Sequence, residues 1–150
     1  MKHALTVALT AVTLSLNAQI SKPQESVPST TVGKVSSLGT SVAELIYYVS
    51  GRDTSYSLIY QNKKVPKVIE YRSLRFIETG GVKETLYAYL KSVFTKENKR
   101  NKQYNIKFTL GRNEIFVRHF VNLGGVAAKI YEDGNFFYLN ENQVDKLFGK

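Results

Sequence analysis

GVKETLYAYLKSVFTKE, residues Gly81 to Glu97, sets Val82, Leu86, Tyr89, Leu90, Val93 and Phe94 at helical spacing, with Lys83, Glu84, Lys91 and Lys96 between them. This spacing predicts the principal helix. Gly80 and Gly81 let the chain turn into it, and Glu84 suits the positive end of its dipole. Strand-like, aromatic-rich sequence lies on both sides. The apolar stripe is therefore expected to cover a mostly antiparallel sheet rather than to join a helical bundle.

Upstream, Ala43, Leu45, Tyr47 and Val49 alternate with Glu44, Ile46 and Tyr48. Gly51 to Thr54 reads as a turn, and Tyr56, Leu58 and Tyr60 alternate beyond it, which together predict a hairpin. Asn62, Lys63 and Lys64 mark the next turn. In Lys67 to Ile77, Ile69 and Tyr71 share one parity and Leu74 and Phe76 the other, so a bulge near Arg72 and Ser73, or a break between two elements, is expected.

Downstream, KENKRNKQ reads as a solvated connector. Tyr104, Ile106, Phe108 and Leu110 alternate, Gly111 to Asn113 turn the chain, and Glu114 to Val121 returns as a second hairpin. Asp133-Gly134 favours the left-handed geometry of a tight turn, pairing Val126 to Tyr131 with Asn135 to Leu139. Asn140 with Gln143 three residues later forms the pattern of a capping box, and Leu139 can staple against Val144 at the start of a short C-terminal helix.

The expected order is β-β-β-α-β-β-β-β-α, and the fold class α+β: one mostly antiparallel twisted sheet, the principal helix packed on it, and a short C-terminal helix. A duplication of strand sets, each followed by a helix, is the competing reading. The unequal helices and the lack of a long sequence repeat speak against it.

The first residues, MKHALTVALTAVTLSLNA, combine Lys2 with an apolar, small-residue run and a possible cleavage point after Ala18. Residues 1–18 read as a signal peptide rather than a membrane span, because the run is short and rich in Thr and Ser. Residues 19–40, interrupted by Pro23 and Pro28, read as a flexible leader. Residues 41–150 are then a single α+β domain, with no transmembrane segment in the mature chain.

With no Cys in the chain, disulfides, thiolate metal sites and a cysteine nucleophile are excluded. The net charge of +9, or +8 once Lys2 leaves with the signal peptide, favours anionic surroundings without selecting one. Catalysis has little support: His119 is the single histidine of the mature chain, and it sits in an apolar strand. No nucleophile-elbow motif accompanies the serines. Glu132-Asp133 reads as part of a turn, and Glu141 and Asp145 as one face of a short helix, so no metal ligand, cofactor site or catalytic residue is assigned. The glycine pairs Gly80-Gly81 and Gly124-Gly125 are turn signals, not a nucleotide fingerprint.

Two basic groups stand out: Lys63, Lys64, Lys67, Arg72 and Arg75, then Lys96, Lys99, Arg100 and Lys102. They could meet an acidic protein, an anionic envelope polymer or a membrane surface, or serve only solubility. Tyr56, Tyr60, Tyr71 and Phe76 around the first group also suit base stacking, but export and sheet packing disfavour nucleic acid. Phe116, Arg118 and Phe120 mix apolar and cationic anchors and form the candidate partner interface. The function expected is an exported, noncatalytic binding or accessory protein in the periplasm or outside the cell, engaging a protein or anionic partner; the alternative is a small secreted hydrolase.

Overall fold

The computed structural model describes residues 27–150, so the expected signal peptide at 1–18 and the first part of the leader lie outside the described residues. Four strands come first: β1 (Ser29–Ser37), β2 (Thr40–Ser50), β3 (Asp53–Asn62) and β4 (Glu70–Ile77). Helix α1 (Val82–Ser92) and a 3₁₀ turn (Asn98–Arg100) follow. Strands β5 (Asn105–Leu110), β6 (Asn113–Asn122), β7 (Gly125–Glu132) and β8 (Asn135–Leu139) then lead to helix α2 (Glu141–Leu147).

Each set of four strands forms its own antiparallel sheet, ordered β1-β2-β3-β4 and β5-β6-β7-β8. The described residues are mostly β with two α-helices, and the expected single sheet is corrected to two. Alternation shows that one face of a strand is buried, but not against which partner. Here Leu45, Leu58, Tyr60 and Leu74 of the first sheet share one core with Ile115, Val117, Ile130, Phe137 and Leu139 of the second. Tyr60 stacks on Phe137 with ring centroids 4.3 Å apart. Each side chain so buried stabilises the fold by about 1.5–3 kcal/mol.

The flexible-leader reading of residues 19–40 is corrected over Ser29–Ser37, which pairs with β2 as an edge strand. Only Val35 in it is buried, so the strand carries no apolar alternation to betray it. Backbone pairing holds it instead, helped by Gly33, whose α-carbon lies directly under the carbonyls of Lys146 and Leu147 at the end of α2.

The expected bulge near Arg72 is also absent. Strand β4 pairs with β3 in unbroken register from Glu70 to Ile77, and the parity conflict is resolved by leaving Ile69 and Tyr71 exposed. The irregularities lie in β1, between Thr31 and Gly33 and between Val35 and Ser36.

Helix α1 starts after Gly81, whose φ of 81° places it in the left-handed region, and buries Leu86 and Leu90. Its regular part ends at Ser92, short of the expected Glu97, because neighbours capture that residue. Asn98 Nδ2 donates to the Ser92 carbonyl at 2.7 Å, and the Tyr104 hydroxyl donates to Ser92 Oγ at 2.7 Å. Val93 and Phe94 still reach the core from the turn beyond.

The C-terminal helix begins as its sequence predicts. Asn140 Oδ1 accepts from Gln143 N, and Gln143 Oε1 accepts from Asn140 N, both at 2.9 Å. Leu139 and Val144 are fully buried in the common core. No helix among the described residues is long and apolar enough to cross a membrane.

Candidate partner-binding face

The outer face of the second sheet carries five aromatic rings. Register sets Phe116 opposite Tyr131 and Tyr131 opposite Phe136, while Tyr138 lies opposite Lys129 and Phe120 opposite Ala127. The rings follow one another in an arc, each tilted against the next. Centroid distances run Phe116 to Tyr131 5.9 Å, Tyr131 to Phe136 5.7 Å, Phe136 to Tyr138 5.5 Å and Tyr138 to Phe120 4.8 Å, with planes inclined by 37° to 74°. Each ring is half-buried.

Lys129 stands inside this arc. Its Nζ lies 4.0 Å from the Phe136 centroid, 4.7 Å from Tyr131, 5.4 Å from Tyr138 and 5.7 Å from Phe120. The ring faces attract the ammonium electrostatically, while its alkyl stem covers apolar surface. Burial opposes its charge, but the neighbouring Tyr131 and Tyr138 outweigh that and raise its pKa. The site therefore keeps its positive charge.

Arg118 sits opposite Lys129 on β6, exposed, and among the described residues it has no carboxylate within ion-pair distance. Lys107 at the rim pairs with Glu114 at 2.7 Å. A hollow of about 500 Å³ adjoins the face, lined by Arg112, Phe116, Tyr131 and the Asp133-Gly134 turn.

Phe116, Arg118 and Phe120, singled out from sequence, thus lie on one face as their shared parity requires. Sequence reading missed Lys129, Tyr131, Phe136 and Tyr138. The signal was present: a two-residue turn at Asp133-Gly134 obliges Tyr131 to face Phe136 and Lys129 to face Tyr138.

In the first basic group, Lys64 and Arg72 both lie near Glu70. Arg72 and Arg75 are three residues apart in β4 and so point to opposite faces, and Arg72 pairs with Glu70 at 2.9 Å. Lys63, Lys64 and Lys67 lie in the loop between β3 and β4, where Lys63 N donates to the Phe136 carbonyl at 2.8 Å. In the second group Lys99 and Arg100 belong to the 3₁₀ turn, flanked by Lys96 and Lys102, and Lys99 bridges to Glu141 at 2.8 Å.

His119 is buried, with Nε2 3.2 Å from the Lys99 carbonyl oxygen, where it ties β6 to the connector. Glu141 and Asp145 share Lys91, at 3.1 Å and 2.9 Å, and the Tyr87 hydroxyl donates to Asp145 at 2.9 Å. These carboxylates join α1 to α2. Among the described residues no group of three His, Asp or Glu side chains is placed to hold a metal. Comparison of this chain with protein-family models, curated proteins and solved structures finds no match.

Proposed function

We propose that this chain is an exported, noncatalytic binding or accessory protein of the envelope or extracellular space, and that an acidic segment of a protein partner docks on the outer face of its second sheet. The observation that carries the reading is the arc of five rings around Lys129, with Arg118 beside it. The ammonium and guanidinium favour carboxylates, and the rings around them offer apolar surface to the rest of a protein segment. Export is inferred from the residues at 1–18 alone.

A photoreactive residue at Asn105, on β5 beside Arg118, tests this in the native envelope, with one at Thr30 on the distant β1 as control. Mass spectrometry should identify one reproducible protein crosslinked from position 105 and not from 30, and Lys129→Ala should abolish the crosslink. Recovery of the protein as a free species would sink the reading. So would salt-sensitive capture of an unpaired nucleic acid strand by the same face.

A further inference from the structure

We propose that the cleft between β4 and the β5–β6 turn binds a small organic phosphate, at a site that meets the hollow beside the aromatic face at Arg112 but does not include Lys129. The cleft is open and spans about 1110 Å³, and its charged lining residues are Arg75 and Arg112, with no carboxylate among the lining. Neither arginine has a carboxylate within ion-pair distance among the described residues. Two uncommitted guanidiniums facing one cavity are forked donors suited to a dianion.

Their approach is built by a glycine. Gly111 in the β5–β6 turn has φ 61°, and a β-carbon there would stand 2.6 Å from the Arg75 carbonyl oxygen. The turn therefore lies directly on the β4 backbone, which brings Arg112 alongside the strand that carries Arg75. Register supplies the rest of the wall, since Tyr48 pairs with Ser55 and Ser55 with Ile77 across β2, β3 and β4. Hydroxyls can donate to phosphate oxygens, and Tyr48 and Ile77 offer surface for a carbon body. Apolar surface lies beside the two arginines, so the ligand class is a phosphomonoester rather than the inorganic ion.

The test is an NMR titration of the ¹⁵N-labelled protein with glycerol 3-phosphate, inorganic phosphate and succinate. Saturable shifts confined to Ser55, Arg75, Gly111 and Asn113 are expected, tightest for glycerol 3-phosphate. Arg75→Gln and Arg112→Gln, both at exposed side chains, should each weaken binding by roughly tenfold or more while the rest of the spectrum stays unchanged. Lys129→Ala should leave this binding intact, which separates it from partner docking on the aromatic face. Any of four results overturns the proposal: no saturable shift, an equal response to succinate, shifts spread over Lys63, Lys64, Lys96 and Lys102, or arginine variants that bind as well as the parent.

Discussion

Asn62 and Asn135, 73 positions apart in the chain, hydrogen-bond at 3.0 Å with both side chains buried. Asn62 Nδ2 also donates to Glu70 at 2.8 Å, and its Oδ1 accepts from Lys64 N at 3.1 Å and Phe136 N at 3.4 Å. One amide thereby ties the end of β3 to β4, to the following loop and to β8. Asn62→Ala should cost about 2–3 kcal/mol by urea denaturation and Asn135→Ala about 1–2, because each leaves buried polar partners unsatisfied and Asn62 leaves more of them. Equal, near-zero costs would mean that the sheets are held together by apolar packing alone.

The second polar tie between the sheets has a pH signature. The Tyr60 hydroxyl donates to Glu132 at 2.7 Å, and burial, reinforced by that carboxylate, raises the tyrosine pKa. Folding thus favours the protonated phenol. Its contribution is complete below the unfolded value of about 10 and is lost as pH rises beyond it. Urea midpoints should fall above about pH 10, and Tyr60→Phe should flatten part of that fall while costing roughly 1.5–3 kcal/mol at neutral pH.

Gly33 is the position where β1 admits α2. A β-carbon there would overlap the Lys146 carbonyl oxygen and stand 2.6 Å from that of Leu147. Because both neighbours are backbone, the helix must move, and Gly33→Ala should cost about 1–3 kcal/mol, read as a lowered thermal midpoint. Gly39→Ala is the contrast, since nothing lies within 4 Å and only the strain of its φ of 79° opposes it. A cost near that of Gly39→Ala or smaller would show that α2 is not seated on β1.

Acid should loosen the pairing of the helices. Hydrogen bonds from Lys99 and Lys91 hold the Glu141 carboxyl below its usual pKa, and Lys91, followed by Tyr87, does the same for Asp145 against opposing desolvation. Folding favours the ionised forms here, so their contribution is present above about pH 4 and disappears as pH falls through the lowered folded values. These groups are about one-third exposed, which limits each pair to a few tenths to about 1 kcal/mol. The stability difference between wild type and Lys91→Met should therefore be measurable at pH 7 and vanish near pH 2.

The features legible in the sequence were those whose causes lie within a few residues. The Asp133-Gly134 turn, the reciprocal bonds of Asn140 and Gln143, the start of α1 after Gly81 and the strand alternation follow from dihedral preference, capping chemistry and side-chain period. The sequence by itself thus determined the kinds of element, most of their turns and the shared face of Phe116, Arg118 and Phe120. Tertiary structure decided what those elements pack against. It recruited β1, which has backbone donors and a glycine seat but almost no apolar signal, and it divided the strands between two sheets around one core. It also set Arg112 beside the strand of Arg75, because close packing of distant segments depends on the shape and burial of the whole chain, which no local period records.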